Sequence, residues 1–342
     1  MAPEPTALLV EVLVRVASIT VFIALGVGLA SVAVEFGAVE YIAGFARPLT
    51  QPANLPPEVG TAILATTASP TAGYGMLAEY REAGLLDDRA TLVAVTMNTF
   101  FGFAQHIFTF YAPVLIPILG LKVGLMYVGA RALISLAITG TGVLAGALLL
   151  SERNVDTTVE TDVDEEATVE ADGSGGGRDR RAKLRAAAES TVEKIRDIVP
   201  RLLVVYLLVA TLVAYYEEIV TVLFGSPDAI GIAGAVAPVT GALGLPSAAI
   251  PTIAVFAVDT TNGAIFIAPL IENGTFTARA AVATMLVGGI VSFAVSTFKR
   301  SIPFQYGIWG REFGSKVIVV NTVLKVVFIA VALVVLLAPS AI

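Results

Sequence analysis

The chain has no cysteine and only one histidine, His106, among its 342 residues. Disulfides and thiolate metal sites are therefore excluded, and so is a metal site built from several histidines of one chain. The sequence also lacks the GxSxG, HExxH, Walker and Rossmann motifs that mark common catalytic and nucleotide-binding sites. We therefore expect no enzyme activity, metal site or cofactor. No basic, aromatic-rich stretch predicts a nucleic-acid partner.

Charged residues are scarce as well. They make up 14% of the chain, whereas soluble domains carry roughly 25%. Several segments reach about 20 apolar residues, which is enough to cross a hydrocarbon core about 30 Å thick. This composition predicts a multi-pass protein of the cell membrane, with the lipid bilayer as its surroundings. No cleavable signal peptide is expected, because the N-terminus lacks a basic region and its apolar run is too long.

The charge balance is acidic, with a formal net charge of −7. The surplus of aspartate and glutamate on the soluble parts favours a salt-adapted host such as a halophilic archaeon. Ordinary drift of the composition is the alternative explanation.

Two stretches of the chain repeat each other at a spacing of 190 residues. Residues 55–124 align without a gap on residues 245–314, and 17 of the 70 positions are identical. The identities include prolines, glycines, a glutamate and an arginine, which chance matching of apolar sequence does not explain. The sequence therefore predicts a duplicated unit, with a first membrane repeat over residues 1–150 and a second over residues 201–342.

Each repeat contains a broken apolar segment. Polar and turn-forming residues from Ser69 to Gly73 separate two short apolar runs, and the stretch from Asp259 to Gly263 does the same in the second half. Proline and glycine favour a break in a helix. Irregular backbone at membrane depth is tolerated only where protein buries it or water reaches it. We therefore expect a re-entrant helical hairpin in each half, with one interrupted spanning helix as the alternative.

Residues 151–200 form a charged linker between the two repeats. The stretch 151–177 holds nine acidic residues against one arginine and ends in a glycine-rich run, which is typical of a flexible solvated segment. Residues 178–201 hold eight Lys or Arg against four acidic residues. By the positive-inside rule, this basic stretch predicts a cytoplasmic location for the linker.

The orientation of the two repeats depends on whether the hairpins cross the membrane. If they are re-entrant, each half has three full spans, the repeats are inverted, and the basic stretch 299–316 lies on the same side as the linker. If they cross fully, the repeats are parallel and that stretch lies on the opposite side. The positive-inside rule favours the first arrangement. The predicted fold is thus an all-α polytopic membrane protein with two inverted repeats.

One long helix is expected after the first hairpin. Asp87 and Asp88 are typical of its N-terminus, where the helix dipole favours acidic residues. The helix is expected to run from residue 89 to about residue 110, where Pro113 and Pro117 end it. Residues 121–150 then predict a long spanning helix.

Polar residues inside the apolar segments are the candidates for a binding site. Asp259 lies at the depth of an apolar segment, where a charge is rare unless it lines a cavity, pairs or titrates. The alternative is a helix cap in contact with water. Asn98 and Gln105 are seven residues apart and therefore share a helix face, with His106 next to them. These side chains suit a cation or a polar solute, and they suit helix–helix hydrogen bonds equally well.

Arg131 is expected near the middle of the long span over residues 121–150. It suits an anionic substrate, or an ion pair with Glu35, Glu217 or Glu218, and the sequence favours the ion pair.

A polar tip followed by a broken apolar helix resembles the nucleoside-recognition, or Gate, domain family. That family includes the spore maturation membrane proteins and the membrane part of ferrous-iron transport protein B, and it is similar in plan to the concentrative nucleoside transporters. The resemblance rests on the tip from Ser69 to Gly73, on Asn98-Thr99, and on the second-half stretches 259–263 and 292–296. It covers about 70 residues of each half.

In the concentrative nucleoside transporters, both hairpin tips and both bent helices face a central solute. The resemblance therefore implies a substrate- or ion-binding role for the polar residues at these places, which are Ser69, Thr71, Asn98, Gln105, Asp259, Thr261, Asn262 and Ser296. We add His106, which is next to Gln105. The chain departs from the iron transporter, because it has no G-protein domain and no cysteine in the hairpin. Iron is therefore disfavoured as a substrate.

Two functions from different classes follow. The first is a secondary transporter or permease for a small polar solute, either nucleoside-like or an ion, with Na⁺ or H⁺ as candidate coupling ions and the site between the two tips. The second is a non-transporting membrane scaffold or partner subunit. A lipid-phosphate flippase is a further alternative. A homo-oligomer is compatible with each of these functions.

The inverted arrangement makes a prediction about topology, in which the linker 151–200 and the stretch 299–316 are cytoplasmic and both termini are outside. Because the chain has no cysteine, single-cysteine variants report accessibility without background labelling. We expect Ser174→Cys and Lys316→Cys to react with a membrane-impermeant maleimide only when the cytoplasmic face is exposed. Labelling of these two positions from opposite sides would contradict the inverted arrangement.

Overall fold

The computed structural model describes residues 4–35, 47–159, 180–215, 243–296 and 301–338, together with Gly241. Within these residues the regular elements are helices, and the only β-type pairing is an isolated bridge between Leu86 and Val155. The predicted all-α class is therefore confirmed.

The first half contains eight α-helices and one π-helical segment in its described part: α1 (Pro5–Glu35), α2 (Arg47–Thr50), α3 (Pro57–Ala68), α4 (Pro70–Glu82), α5 (Asp88–Met97), α6 (Thr99–His106), the π segment (Ile107–Leu115), α7 (Ile116–Leu119) and α8 (Leu121–Leu149). The second half contains five α-helices in its described part: α9 (Arg180–Ala214), α10 (Ala249–Val258), α11 (Thr260–Glu272), α12 (Ala278–Ser296) and α13 (Ile302–Leu337).

Four helical stretches within the described residues are long and apolar enough to cross a membrane. They are Pro5–Gly26, Asp88–Leu119, Leu121–Leu149 and Ile302–Leu337. Many large apolar side chains on these stretches are exposed, as expected for surfaces that face lipid. The protein is a multi-pass membrane protein, as predicted.

The first hairpin forms where α4 folds back on α3. The backbone is extended at Ser69, with φ −144° and ψ 111°, between the two helices. Beyond this break, a Cβ atom placed on Gly73 would lie 2.5 Å from the carbonyl oxygen of Ala62, eleven residues earlier. In a continuous helix these residues would be about 16 Å apart. The chain therefore reverses at Ser69, and the alternative of one interrupted spanning helix is wrong for this segment.

The second hairpin repeats this geometry in α10 and α11. Asp259 has φ −150° and ψ 123° and lies between the two helices, as Ser69 does in the first half. Gly263 packs directly against the backbone and ring of Phe256, so the chain reverses here as well. Each arm has 10 to 13 residues, whereas a span needs about 20.

Left-handed glycines mark the same places in both halves. Gly84 and Gly274 follow the two hairpins with φ of 89° and 81°. Gly120, with φ 78°, directly precedes α8, and Gly310, with φ 71°, forms a kink inside α13. Only glycine adopts this conformation without a steric penalty. The spacing of 190 residues found in the sequence is therefore also a spacing of backbone geometry. The inversion of one half relative to the other stays a prediction.

The helix after the first hairpin extends further than the sequence predicted. Instead of ending near residue 110, it continues through the π segment, which contains Pro113, and ends at Gly120. A π-helical turn is wider than an α-helical turn and is a usual place for a bend, so it accommodates a proline that would break a regular helix. Pro117 lies in the first turn of α7, where a proline needs no N–H partner.

Helix α9, Arg180–Ala214, contains most of the basic stretch 178–201 and continues into the first apolar span of the second half. Most of the stretch 36–50 lies outside the described residues, and its described part, Arg47–Thr50, is helical. The glycine-rich stretch 230–243 also lies mostly outside them.

Helix α8 packs against helices of both halves, including α5 and α6 from the first and α12 and α13 from the second. Glycines allow the closest approaches, since Gly142 lies against Met97 of α5 and Gly146 lies against Ala53. Asn54 donates from its side chain towards carbonyl groups at the C-terminal end of α8. The base of the first hairpin is therefore held at that end of α8.

Ion pairs and hydrogen bonds join the first hairpin to the linker and to α13. Asn154, at the start of the linker, donates to Asp87 at 2.7 Å. The neighbouring Asp88 accepts from Arg81 at 2.7 Å and from Lys316 of α13 at 2.8 Å. The start of the linker and Lys316 therefore lie at the same end of the bundle, in agreement with the topology that the inverted arrangement predicts.

The second hairpin is joined to the first half by a similar contact. Glu272, at the end of α11, pairs with Arg15 of α1 and accepts a hydrogen bond from Tyr206 of α9 at 2.6 Å. Each hairpin is therefore tied at its open end to a helix from the other half.

The hairpin contact predicts a difference between two glycines of the same helix. Gly73→Ala would place its Cβ against the Thr66 side chain and the Ala62 backbone, whereas Gly75 has nothing within 4 Å of the same position. We expect Gly73→Ala to lower the free energy of unfolding by about 1–3 kcal/mol. Gly75→Ala should be neutral or stabilising, by up to about 1 kcal/mol. Thermal melting of the detergent-purified variants tests this, and equal melting temperatures would contradict the close contact.

Candidate functional site

Both predicted hairpin tips are helix caps. The Ser69 hydroxyl accepts a hydrogen bond from the N–H of Ala72 at 3.3 Å, and a carboxylate oxygen of Asp259 accepts one from the N–H of Asn262 at 2.7 Å. Ser69 is exposed and Asp259 is half-buried. The capping interpretation of Asp259 is therefore confirmed. In the described hydrogen bonds Asp259 uses one carboxylate oxygen, so the other is available to a ligand.

The two tips differ at the residue that follows the cap. In the first tip this residue is Pro70, which has no N–H, and in the second it is Thr260, which has one. The hydrogen bonds of the described residues give the N–H groups of Thr260 and Thr261 no acceptor. The second tip therefore has two N–H groups without a described acceptor, those of Thr260 and Thr261. The first tip has one such position fewer, because Pro70 takes the place of Thr260.

The remaining tip residues also differ between the two tips, in how deeply they are buried. Thr71 is exposed, whereas Thr261 and Asn262 are half-buried. The side-chain oxygen of Asn262 is buried and has no hydrogen-bond partner among the described residues. A buried polar atom without a partner is unusual, and the described residues contain several, including the side-chain oxygens of Asn262 at the second tip and of Asn98 in the first half.

Asn98 makes a contact between helices. Its side-chain amide donates to the Thr66 hydroxyl at 2.8 Å, and that hydroxyl donates to the carbonyl of Ala62 at 3.0 Å. Asn98 and Thr66 are both buried. The bond joins the first arm of the hairpin to the turn between α5 and α6, as a helix–helix role requires. The side-chain oxygen of Asn98 is buried without a partner among the described residues, so a binding role for Asn98 stays a prediction.

Thr139 of α8 supports the helix break at Asn98. Its hydroxyl donates to the carbonyl of Met97 at 2.9 Å and accepts from the N–H of Phe100 at 3.0 Å. A side chain that satisfies freed backbone groups is a usual way to stabilise a broken helix inside a membrane. Neither Thr139 nor Thr66 was identified from the sequence, because isolated threonines in apolar helices carry no distinctive pattern.

The other predicted residues lie at helix ends. Gln105 is half-buried and His106 is exposed at the C-terminal end of α6, and Ser296 is the last residue of α12. Within the described part of the chain, no hydrogen bond links one hairpin tip to the other.

A polar cavity of about 170 Å³ lies beside the second tip, where the two halves meet. Its polar lining consists of Tyr111, Tyr127, Arg131, Thr260, Ser292 and Lys325. Arg131, for which the sequence allowed an anionic substrate or an ion pair, is in this lining. The residues of the predicted binding site with described side chains are not in it, although Thr260 lies between two of them in the chain. The sequence did offer one signal, since Lys325 is a lone cation in an otherwise apolar last span.

Aromatic rings and a glycine surround the two cations of this cavity. The ammonium group of Lys325 lies 4.4 Å from the centre of the Phe293 ring. The guanidinium group of Arg131 lies near Gly289, where an added Cβ would be 3.4 Å away, and Tyr111 lines the same cavity. A cation against an aromatic face is stabilised by the ring quadrupole.

The acidic residues that the sequence offered as partners of Arg131 have no described side chains. Glu217 and Glu218 lie outside the described residues, as does the side chain of Glu35. The ion pair that the sequence favoured therefore stays a prediction.

These features define a multi-pass helical membrane protein with duplicated broken hairpins. Residues 16–122 match the family model described as nucleoside recognition, the Gate domain. The match includes the first hairpin and the bent helix that follows it. The resemblance inferred from the sequence is therefore confirmed for this part of the chain.

Two archaeal proteins are similar to the chain over most of its length. The chain is 22% identical to uncharacterized protein MJ0880 of Methanocaldococcus jannaschii, over 92% of this chain and 95% of that protein. It is 26% identical to uncharacterized protein MJ0871 of the same organism, over 87% of this chain and 86% of that protein. No solved structure matches the chain. The halophilic host stays a prediction.

The Asn98 contact predicts unequal effects for two neighbouring threonines. Thr66→Val removes the acceptor of the buried Asn98 amide, whereas the hydroxyl of the equally buried Thr67 bonds only to the carbonyl of Ile63, at 3.3 Å. We expect Thr66→Val to lower the free energy of unfolding by about 1–3 kcal/mol, because it leaves a buried donor unsatisfied.

Thr67→Val is the matched control, and we expect a smaller effect from it, because the carbonyl that loses the hydroxyl is already part of the helix ladder. Thermal melting of the two purified variants in one detergent measures the difference. If Thr67→Val is as destabilising as Thr66→Val, the Asn98 bond contributes nothing to the stability of the hairpin.

Proposed function

We propose that the protein is a secondary transporter or permease for a small polar solute, with its binding site at the second hairpin tip. The observation that carries this proposal is the polar cavity beside Thr260, which residues from both halves line. A site at the contact between two repeats changes its shape when one repeat moves against the other, as alternating access requires.

The broken helices support the same function. Ends of half-helices inside a membrane expose N–H or C=O groups that coordinate solutes and ions. The second tip has amide groups of this kind at Thr260 and Thr261, next to the carboxylate of Asp259. The match of residues 16–122 to the nucleoside-recognition family is in agreement with a solute-binding role.

A lipid-phosphate flippase is a second candidate, and one specific feature favours it. An apolar groove of about 700 Å³ lies between α5, α8 and α13, with Arg89 in its lining. A groove with one cation and apolar walls suits a lipid, because the acyl chains contact the walls while the phosphate pairs with the arginine. In this case the transported molecule enters from the bilayer.

Binding and uptake measurements test the transporter proposal. A ligand at 100 times its dissociation constant stabilises a protein by about 2.7 kcal/mol, so a thermal-shift screen with nucleosides, sodium salts and other small polar solutes should find ligands. We expect proteoliposomes to accumulate a solute that gives a shift, and vesicles without protein to show no uptake. Without any shift or uptake, the non-transporting scaffold is favoured, and movement of labelled lipid alone would favour the flippase.

The second tip predicts a functional effect for Asp259→Asn. Asparagine is as good a helix cap as aspartate, so the variant should melt at the wild-type temperature. It removes the negative charge at the tip, and we expect it to abolish ion coupling or solute uptake. Proteoliposome uptake of the solute found in the screen, with and without a sodium or proton gradient, measures the effect.

Ser69→Ala is the comparison at the first tip. It removes one neutral hydroxyl and a weak cap, so it should lower stability by about 1 kcal/mol while uptake per folded protein changes less than in Asp259→Asn. Wild-type uptake and coupling in Asp259→Asn would show that this residue is only a helix cap.

A further inference from the structure

Two cations face the cavity at the second tip, one from each half of the chain. Arg131 is contributed by α8 and Lys325 by α13, the last helix of each repeat. Their equivalents at the 190-residue spacing are Asn321 and Ser135. The two cations therefore lie one helical turn apart on equivalent helices. Neither is repeated in the other half, so the duplication does not explain their presence.

The described lining of the cavity contains no acidic residue. Among the described residues, Lys325 lies against the Phe293 ring and Tyr111 lines the cavity together with Arg131, and both of these groups are neutral. Asp259 is one residue from Thr260, but its described hydrogen bond is directed to the N–H of Asn262. Cations inside a membrane protein are unfavourable unless they are paired or hydrated, and two that share one cavity also repel each other. A bound anion would offset both effects.

Neutral hydrogen-bond donors face the same cavity. Tyr111, Tyr127, Thr260 and Ser292 each present a hydroxyl group. Thr260 is also the first residue of α11, which has 13 residues, and its N–H has no acceptor among the described residues. The N-terminus of a helix favours an anion through its unpaired N–H groups and its dipole. The donors thus complement the charge of the two cations.

The size of the cavity limits the anion. Pockets for drug-sized ligands have volumes of roughly 300–1,000 Å³, whereas this cavity has about 170 Å³. Water occupies about 30 Å³ per molecule in the liquid, so the cavity has room for a group of a few heavy atoms. An arginine guanidinium matches the geometry of carboxylate and phosphate oxygens in a two-bond contact.

We propose that this cavity binds a small oxyanion through Arg131 and Lys325. The oxyanion is a carboxylate or a phosphate, either free in solution or as the head group of a lipid. This inference deepens the proposed function and rests on it for the passage of the anion across the membrane. Binding itself is measured without transport.

The test is thermal melting of the full chain, purified in a neutral maltoside detergent. Sodium phosphate or sodium acetate replaces sodium chloride at constant ionic strength, so that a general salt effect is removed. We expect the melting temperature of the wild type to rise with phosphate or acetate and to reach a plateau. Arg131→Gln and Lys325→Gln should each weaken the apparent affinity by at least about tenfold, because each removes a charged hydrogen-bond donor.

Two further variants keep the test informative. Lys122→Gln removes a cation that is exposed on the same helix as Arg131 and outside the cavity, and it should bind the oxyanion as the wild type does. Arg131→Lys keeps the charge but loses the planar fork, and we expect it to fold and to bind with intermediate affinity.

The source of the oxyanion is tested with nanodiscs. If the site takes a lipid head group, phosphatidylglycerol nanodiscs should stabilise the wild type relative to phosphatidylcholine nanodiscs, free phosphate should have no effect, and the two glutamine variants should lose the difference. The proposal is overturned if neither phosphate, acetate nor phosphatidylglycerol stabilises the wild type, or if both glutamine variants respond as the wild type does.

Failure of this proposal and failure of the proposed transport function have different signatures. Saturable oxyanion binding that depends on Arg131 and Lys325, without uptake in proteoliposomes, would leave the site in place and remove the transporter function. Solute uptake by a protein that shows no oxyanion-dependent stabilisation would keep the transporter function and remove the oxyanion site.

Discussion

The structure depends on how two helices are interrupted inside a membrane. A broken helix leaves backbone N–H and C=O groups that lipid cannot satisfy, so the protein itself must provide their partners. At both breaks the N–H of the interrupting residue bonds back to the first arm, from Ser69 to Ala65 and from Asp259 to Val255. Its side chain then caps the second arm. These bonds satisfy part of the backbone at each break, and the N–H groups of Thr260 and Thr261 have no acceptor among the described residues.

The same backbone carries different chemistry in the two halves. Both hairpins reverse at a cap and bring a glycine against the opposite arm, so their packing is equivalent. In the first half, Asn98 and Thr66 use their polar groups to hold the hairpin together. In the second half, Thr260 faces a cavity and Asn262 keeps a buried oxygen without a described partner. The two tips therefore share a backbone geometry and differ in the polar groups that surround them.

The halves of the chain also depend on each other. Lys316 of the second half pairs with Asp88 beside the first hairpin, and Arg15 of the first half pairs with Glu272 at the end of the second. Helix α8 contacts α5 and α6 on one side and α12 and α13 on the other. The cavity at the second tip lies at this contact and receives one cation from each half. Neither repeat alone would form it.

The sequence by itself determined the membrane class, the duplication, the two breaks and the helix N-terminus at Asp87 and Asp88, and it allowed a cap at Asp259 as an alternative to a binding role. These properties depend on hydropathy, residue type and neighbours within a few positions, all of which a linear sequence displays. Only the tertiary structure decided that the helix passes through Pro113, and that Arg131 and Lys325 share a cavity. The physical reason is that a wide helical turn and a cavity depend on how segments far apart in the chain pack together, and no local pattern records this packing.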